Sequence, residues 1–404
     1  IIEDQLGRNI DDIFLNFSGP LAAASIAQVH FAKINDSGKI TPVAVKILRP
    51  KIIETIDEEM SRLDWLTGFL ENFSELERLQ LNSVIKKAKE IIRFELDLRY
   101  EAAAASELKE NTKNDHSFYV PKIYWENVTK KVLTIERISG TPADKIELLR
   151  TNNINLRKIA DQLIINFLRQ AIRDGYFHAD LHQGNLFIDE NSNLIAVDFG
   201  IMGRLDKKNR RFLAEIIFGF INQDYLKIAK IHKEAGLIDS DQSVDDFSQA
   251  LRSIGEPIIN QKAKDISMGR VLVQLFDITK QFNMSLQPQL LLLQKTMIIV
   301  EGVARKFNPE INFWEISKPE IELWLKDELG PLTKLKETSE VLQSLARKVP
   351  DIPDFLDRAE NAFDIIMENR KTINTHQYKK KSFKTLIGFT SGIAVIFIAT
   401  MLLI

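Results

Sequence analysis

The stretch from His178 to Gly200 constrains this chain more than any other. Asp180 stands five residues before Asn185, and a short apolar run follows. A turn rich in Asn, Asp and Ser then leads to a second apolar run that ends on Asp198 and its Phe-Gly neighbours. Two short strands around a polar turn would bring Asp180, Asn185 and Asp198 to one rim. Three oxygen-bearing side chains there suit Mg²⁺ and the phosphates of a nucleotide, so the sequence predicts ATP and Mg²⁺ as cofactors.

The order of these residues, Asp-x4-Asn followed by Asp-Phe-Gly, is typical of the catalytic loop of protein kinases. Either string alone recurs by chance and would be a weak signal. Together, in this order and joined by a hairpin pattern, they predict phosphoryl-transfer chemistry. A cleft of this kind also needs a lysine, a loop that covers the phosphates and a carboxylate that orients the lysine.

A suitable lysine lies on a predicted β-hairpin near the N-terminus. An amphipathic helical pattern covers residues 1–19 and is broken at Gly19-Pro20. A strand begins at Ser25, and the chain returns as a second strand over Pro42–Leu48. Because side chains alternate along a strand, Lys46 faces the cleft while its neighbours face the core. Its ammonium would hold the α and β phosphates.

Small residues stand where an ordinary kinase has a Gly-rich loop, namely Ala22, Ala23, Ala24 and Ser25. Alanine lets backbone N–H groups approach phosphates but resists the positive φ angles that glycine allows. We therefore expect a stiffer loop that covers the nucleotide. A tightly packed turn without a ligand is the alternative.

The carboxylate partner of the lysine is predicted on a helix. Residues 51–110 have a mostly helical pattern, and Glu101 stands beside a run of alanines that permits close packing. Asp97 would lie one turn earlier on the same face, and Glu95 would point elsewhere. The alternative for all three is a solvated acidic face.

Further elements complete the predicted cleft. Tyr119–Trp125 and Lys131–Ile138 are predicted as two more strands. The hinge is predicted at residues 135–140, where backbone groups around Glu136 would meet adenine. An apolar helix over residues 157–174 leads into the catalytic loop.

The sequence after Gly200 departs from that of ordinary protein kinases. A predicted helix begins almost at once, at Lys207, without a long activation segment or an Ala-Pro-Glu string. Ala179 stands where such kinases have the arginine that receives an activation-loop phosphate. The usual platform for a protein substrate is therefore missing.

Composition excludes some classes of function. The 404 residues include no cysteine, which excludes disulfides, thiolate zinc sites and cysteine nucleophiles. The formal net charge of −2 gives no general attraction to nucleic acid. Thr385–Ile404 carries no charge over 20 residues, and a helix of that length spans roughly 30 Å, the thickness of a bilayer's hydrocarbon core. The lysines at 379–381 and 384 would keep the preceding part on the cytoplasmic side; a buried core helix is the alternative.

These patterns predict an α+β, bilobal protein-kinase-like fold followed by a C-terminal transmembrane helix. The N-lobe, with a small antiparallel sheet, is predicted over residues 1–140, and a mostly helical C-lobe over residues 141–370. A basic linker at 371–384 leads to the span at 385–404. Glu301 and Arg305, spaced i,i+4 in the C-lobe, are predicted as a structural pair.

Together these features resemble the UbiB family of atypical kinases, the ABC-one/ADCK group, over nearly the whole chain. The segments that carry the resemblance are 22–30 (AAASIAQVH), 43–46 (VAVK), 95–103 (ELDLRYEAA), 178–185 (HADLHQGN) and 198–200 (DFG). An Ala-rich loop before a kinase lysine is highly specific to that family. Residues 293–305 and a C-terminal membrane anchor are also similar to it.

The resemblance implies a role for each motif residue. It implies that the loop at Ala22–Ser25 replaces the Gly-rich loop, that Lys46 pairs with Glu101, that Asp180 is the catalytic Asp, and that Asn185 and Asp198 hold Mg²⁺. Glu95 and Asp97 fall on the family's regulatory Glu-x-Asp motif. That motif works with an upstream Lys-x-Gly-Gln extension, which we expect to be absent from this chain.

The resemblance further implies a membrane-anchored kinase or ATPase that supports ubiquinone biosynthesis at the inner (cytoplasmic) membrane. The expected partners are the membrane, lipid or ubiquinone precursors and other ubiquinone-synthesis enzymes, with no nucleic acid. Three alternatives stay open. One is a small-molecule phosphotransferase of the aminoglycoside/choline kinase type, and another is a nucleotide-gated scaffold for ubiquinone-synthesis enzymes. The third makes His178 and His182 metal ligands.

Overall fold

The computed structural model describes residues 1–328, apart from positions 24–25, 71–88, 90–91, 93, 240, 260–270, 272–273, 276–277, 279–280 and 283–287. The predicted linker at 371–384 and the predicted span at 385–404 lie outside the described residues. Among the helices that are described, none combines the length and the apolar character that a membrane crossing needs.

Strands prevail in the first part of the described chain, and helices make up its last part. The strands are β1 Pro20–Ala23, β2 Ala27–Asp36, β3 Lys39–Leu48, β4 Phe118–Tyr119, β5 Val132–Glu136, β6 Thr141–Pro142, β7 Tyr176–His178, β8 Leu186–Ile188, β9 Leu194–Ala196 and β10 Met202–Arg204. The helices are α1 Ile2–Leu6, α2 Ile10–Ile13, α3 Ile52–Leu70, α4 Leu98–Asn111, α5 Ile146–Thr151, α6 Leu156–Leu168, α7 Lys207–Ile221, α8 Tyr225–Glu234, α9 Val244–Ile259, α10 Pro288–Phe307 and α11 Phe313–Glu328.

The sheet of the N-lobe contains β1, β2, β3 and β5 in that order, with every neighbouring pair antiparallel. The predicted hairpin is its centre, since β2 and β3 pair continuously and Asp36 lies opposite Lys39. Ser37 and Gly38 form the two-residue turn with φ angles of 53° and 88°. Positive φ at both positions is the turn geometry that matches the twist of the flanking strands.

Two predictions for the N-lobe are wrong in detail. The pattern over residues 1–19 forms two short helices, because Gly7 adopts a left-handed φ of 64° that ends α1. Residues 119–125 do not form one strand. Pro121 has no N–H for a ladder, β4 stops at Tyr119, and Ile123 makes an isolated bridge to Ile135.

In the C-lobe, the buried helix α6 leads into the catalytic loop. Ile159, Leu163 and Phe167 of α6 are fully buried. The helix continues into a π-helical turn over Arg169–Asp174, and Gly175, with a φ of 68°, ends that turn. Strand β7 follows and pairs antiparallel with β10, while β8 and β9 form the hairpin predicted from the sequence.

The path after Gly200 is as short as predicted. Strand β10 begins two residues later and α7 begins at Lys207. Asp206 ends the connection because its side chain accepts a hydrogen bond from the backbone N–H of Asn209 at 2.7 Å, which caps the helix.

One hydrophobic cluster joins α4, α6, the catalytic loop and α10. The hydroxyl of Thr296 on α10 lies 3.1 Å from the carbonyl oxygen of Ala179 and 2.8 Å from that of Leu292, so its hydrogen is shared between the loop and its own helix. Arg305 donates to Glu301 at 2.9 Å, and Glu301 is 3% exposed. This pair is therefore structural, as predicted.

Gly203→Ala should destabilise the C-lobe. A Cβ at Gly203 would collide with the fully buried ring of Phe177, so the ring or β10 must move. Overpacking of this kind costs about 1–3 kcal/mol of unfolding free energy. Chemical denaturation of the full chain measures the change.

Gly302→Ala is the matched control. A Cβ there meets no described atom within 4 Å, and alanine in a helix is favoured over glycine by about 0.5–1 kcal/mol. Equal effects of the two substitutions would contradict the tight contact between Gly203 and Phe177.

Candidate active site

Lys46 joins three elements of the cleft. Its Nζ donates to both carboxylate oxygens of Glu101 at 2.9 Å, and it lies 3.4 Å from Oδ1 of Asp198. The Lys46 and Glu101 side chains are 15% and 9% exposed, whereas Asp198 is 46% exposed. The buried pair therefore borders a carboxylate that solvent or a ligand can reach.

The lysine is charged in this setting. Burial alone would lower the pKa of Lys46, but the carboxylates of Glu101 and Asp198 more than offset it and raise that pKa above the ordinary value. An ammonium fixed by a bidentate partner is suited to hold phosphate oxygens without reorientation.

Helix α4 presents Glu101 because of how it starts and packs. Asp97 caps it, accepting a hydrogen bond from the backbone N–H of Arg99 at 3.2 Å. Ala102 and Ala105 are fully buried, so the helix approaches the sheet closely. The prediction that Asp97 shares a helix face with Glu101 is wrong, because Asp97 has an extended backbone outside the helix.

His178 contacts the backbone of the catalytic loop from the protein interior. It is fully buried, its Nδ1 accepts from the backbone N–H of Asp180 at 3.1 Å, and its Nε2 lies 3.4 Å from the carbonyl oxygen of Val197. The neutral ring with its hydrogen on Nε2 satisfies both contacts. Burial lowers the pKa of His178, which keeps the ring neutral. One side chain thus positions the backbone beside Asp180 and beside Asp198.

Asn185 faces Asp180 across the loop. Its Nδ2 donates to the carbonyl oxygen of Asp180 at 3.1 Å and lies 3.5 Å from Oδ2 of the same residue. With Nδ2 engaged, Oδ1 is the atom that could coordinate a cation. Its position depends on the tight turn over Gln183–Asn185 that precedes β8.

His182 is a residue whose role sequence reasoning missed. Its Nδ1 accepts from the backbone N–H of Gly184 at 3.0 Å and caps the turn that carries Asn185, while its Nε2 lies 3.5 Å from Oδ2 of Asp180. A Cβ at position 184 would approach the ring to 2.8 Å, so glycine makes this arrangement possible. The His-x-Gly spacing is the signal that could have revealed it.

Asp198 has a backbone conformation that is uncommon outside glycine, although Asp adopts it more readily than most residues. Its φ is 62°, in the left-handed region. The next residue, Phe199, is 3% exposed and packs near His178, with ring centroids 5.6 Å apart. Burial of Phe199 on one side and the contact with Lys46 on the other hold the Asp198 carboxylate at the cleft.

Comparison with known proteins decides the family. Residues 1–232 match the ABC1 atypical kinase-like domain, and residues 251–312 match the UbiB helical domain. The chain belongs to the UbiB group of ABC1 atypical kinases. Curated relatives that carry the name "Probable protein kinase UbiB" include one from Histophilus somni, 37% identical over 96% of this chain and 73% of the relative. Another, from Photorhabdus laumondii, is 37% identical over 97% of this chain and 70% of the relative.

A third relative of the same name, from Aliivibrio fischeri, is 37% identical over 88% of this chain and 66% of its own length. The chain thus spans 66% to 73% of the length of these three UbiB relatives. A solved structure, the Rv3197–erythromycin complex from Mycobacterium tuberculosis, aligns with a TM-score of 0.61 at 23% identity. It covers 79% of this chain and 80% of the solved one, and confirms the α+β kinase-like fold.

Not every predicted site residue of this UbiB chain meets the Lys46 cluster. In the described part of the chain, neither Glu95 nor Asp97 is a partner of Lys46, and Asp97 forms an ion pair with Arg99 at 2.7 Å. Ala22 and Ala23 lie on β1, the strand that pairs with β2, and not in a loop. Ala24 and Ser25 lie outside the described residues.

Glu136 stands at the end of β5 with its carboxylate turned away from the cleft. It pairs with Val43, whereas Lys46 pairs with Leu133. Because side chains alternate along strands, Glu136 projects from the sheet face opposite to Lys46. The predicted contact of this segment with adenine, which involves backbone groups only, stays a prediction.

The donor set of this UbiB cleft fits Mg²⁺. Asn185 and Asp198 offer one amide and one carboxylate oxygen, and Mg²⁺ commonly takes one or two protein oxygens and completes its shell with water and phosphate. Within the described residues, no three His, Asp or Glu side chains are arranged to hold a metal by themselves. Both ring nitrogens of His178 are engaged, which contradicts the alternative that pairs it with His182 on a metal.

Acid should weaken the fold through His178. The unfolded chain takes up a proton near pH 6.5 and the folded chain resists it, so the unfolding free energy falls as pH drops below 6.5 toward the lower folded pKa. His178→Asn keeps an acceptor but cannot be protonated. This substitution should reduce the slope of the unfolding free energy against pH by up to about 1.4 kcal/mol per pH unit, which is the contribution of one proton.

Denaturation curves of the full chain between pH 7 and 5 measure this slope. Burial also lowers the pKa of His232, to about 4, but that residue contributes equally to both proteins. Identical slopes for the wild type and His178→Asn would contradict the buried neutral ring.

Proposed function

We propose that the cleft binds Mg-ATP and transfers or hydrolyses its terminal phosphoryl group. The observation that carries this proposal is the position of Lys46, which is held by Glu101 and bordered by Asp198. The catalytic loop presents Asp180 and Asn185 as neighbours. Phosphoryl transfer depends mainly on positioning and on stabilising charge, and these groups supply both.

Each residue has a defined task in this proposal. Lys46 holds the α and β phosphates, with Glu101 fixing its ammonium. Asn185 and Asp198 would hold Mg²⁺, which neutralises charge on the phosphates when bound. Asp180 accepts the proton of the attacking hydroxyl or water, and His182 and Asn185 keep its carboxylate in place.

The acceptor that fits this site best is not a protein chain. Only six residues separate Gly200 from Lys207 at the start of α7, and β10 occupies half of them. No room is left for a segment that could dock an extended peptide. We propose a lipid or small-molecule acceptor, or water, in support of ubiquinone biosynthesis, the role that the family resemblance implies.

The proposed location is the inner (cytoplasmic) membrane. The proposal rests on the uncharged run Thr385–Ile404 and on the lysines directly before it. The proposed partners are ubiquinone precursors and other ubiquinone-synthesis enzymes at that surface.

ATP turnover by the membrane-bound full chain tests the function. We expect Mg²⁺-dependent turnover that lipid-like phenols and ubiquinone precursors stimulate and that soluble choline or aminoglycosides do not. Stimulation by choline or an aminoglycoside alone would favour the small-molecule phosphotransferase. Nucleotide-dependent capture of a ubiquinone-synthesis enzyme without turnover would favour the scaffold.

Two isosteric substitutions separate binding from chemistry. Asp198→Asn should abolish Mg²⁺-dependent nucleotide binding, because it removes the only predicted carboxylate ligand. Asp180→Asn should leave that binding within about twofold while lowering turnover at least about a hundredfold, as expected for loss of a general base. Equilibrium binding and steady-state turnover measure the two effects. Unchanged Mg²⁺-dependent binding by Asp198→Asn would show the metal assignment to be wrong.

Deletion of residues 379–404 should release the protein from membranes. The apolar run supplies the insertion energy, and the lysines before it only orient it. Replacing the lysines at 379–381 and 384 by Gln is the control, which should remain membrane-bound. Sedimentation with vesicles measures both, and tight association of the deleted chain would place the membrane contact elsewhere.

A further inference from the structure

A cavity of about 600 Å³ lies beside the hinge. The C-terminal end of α4, the segment at 113–120, the hinge at 136–139 and the β8–β9 connection line it, and it is open to solvent on one side. Lys46, Asp180, Asn185 and Asp198 are not among its lining residues, so it is separate from the candidate active site. Its volume lies within the range of small-molecule sites.

The cavity meets the hinge from its outer side. Glu136 lines it, and the side chain of Glu136 projects from the sheet face opposite to Lys46, as the pairing of Val43 with Glu136 and of Lys46 with Leu133 requires. A ligand in the cavity would therefore contact the same backbone segment as a nucleotide, but from the sheet face opposite to Lys46.

The lining of the cavity combines buried apolar side chains with basic ones. Phe118, Val120 and Ile195 line it and are buried. Lys109, at the end of α4, and Lys113 line the same space. An apolar wall beside ammonium groups is the surface that an aromatic or aliphatic anion would fit.

The acidic side chains of the lining already have donors. The contacts are Arg173 to Asp115 at 2.9 and 2.7 Å, Tyr119 Oη and Lys122 N to Glu136, and the backbone N–H groups of Asn191 and Asn193 to Asp189 at 2.8 and 2.7 Å. A cationic ligand would have to compete with these donors.

The basic side chains are not engaged in the same way. Among the described residues, no carboxylate forms an ion pair with Lys109, Lys113 or Arg137. The ammonium of Lys109 lies 5.2 Å from the ring centroid of Tyr119, and the guanidinium of Arg137 lies over the ring of Phe31. Burial lowers the pKa of Lys109, and the charge of Glu136 offsets this only in part, so a further anionic group beside the ammonium would be favourable.

We propose that this cavity binds a small organic anion with an aromatic body, its anionic group between Lys109 and Lys113 and its ring against Phe118 and Ile195. The hydrogen bond from Tyr119 to Glu136 connects this ligand to the hinge. The binding goes beyond the proposed function, and its effect on the nucleotide rests on that function.

Calorimetric titration of the full chain, without nucleotide, tests the binding. The probe is 2-naphthalenesulfonate, and its neutral isostere 2-naphthalenesulfonamide is the control ligand. We expect the sulfonate to bind and Lys109→Gln/Lys113→Gln to weaken it about tenfold or more, through the loss of two charge-assisted contacts. Lys230→Gln/Lys326→Gln removes the same charge from exposed sites outside the cavity and should bind as the wild type does.

Several outcomes would overturn the proposed anion site. One is equal binding of the sulfonate and the sulfonamide, which would mean apolar contact only. Others are no binding by the wild type, or equal loss in both double variants. Full competitive displacement by Mg-ATP would place the probe in the candidate active site instead.

A second titration tests the connection to the hinge. Saturating sulfonate should change the affinity for Mg-ATP about fivefold in the wild type. Tyr119→Phe should keep sulfonate binding and lose that change, because it removes the hydroxyl that bonds Glu136. An equal change in both proteins would overturn the route through Tyr119. Failure of Mg-ATP itself to bind would overturn the proposed function. The titration without nucleotide would still test anion binding in this cavity.

Discussion

The contact of Lys46 with Glu101 and Asp198 is the interaction on which the rest of the site depends. It joins β3, α4 and the Asp-Phe-Gly segment, which are far apart in sequence. Burying two opposite charges is unfavourable unless the geometry is good, and here both oxygens of Glu101 accept from one ammonium. Close approach of α4, made possible by buried alanines, is what satisfies that condition.

The other half of the site is held by groups that do not face the cleft. His178, fully buried, connects the backbone beside Asp180 to the strand end before Asp198. Thr296 on α10 contacts the carbonyl oxygen of Ala179, next to Asp180. The motif residues thus divide into those that present oxygen atoms and those that fill the core beneath them. Their backbone positions are set by packing and by hydrogen bonds with well-defined directions.

Sequence reasoning succeeded where the alternation of side chains along a strand, or a single short motif, determines the geometry. The β2–β3 hairpin, the side of β3 that carries Lys46 and the order of the catalytic loop follow from alternation and turn chemistry. It failed where competing local effects decide. Pro121 interrupts a strand pattern, Gly7 divides a helical one, and Asp97 caps a helix that it was expected to join. These outcomes depend on a missing N–H at Pro121, a left-handed φ at Gly7 and a capping hydrogen bond at Asp97, none of which a periodic pattern contains.

By itself the sequence determined the kinase-like fold, the family and the residue types that could hold a phosphate and a cation. Only the tertiary structure decided which of them meet. It separated Asp97, which was expected on the same helix face as Glu101, from Lys46, turned the carboxylate of Glu136 to the sheet face opposite to Lys46, and formed a cavity beside the hinge between segments distant in sequence. The physical reason is that a motif specifies residue types and their spacing along the chain. The distances between strands, helices and loops are set by the packing of the shared core.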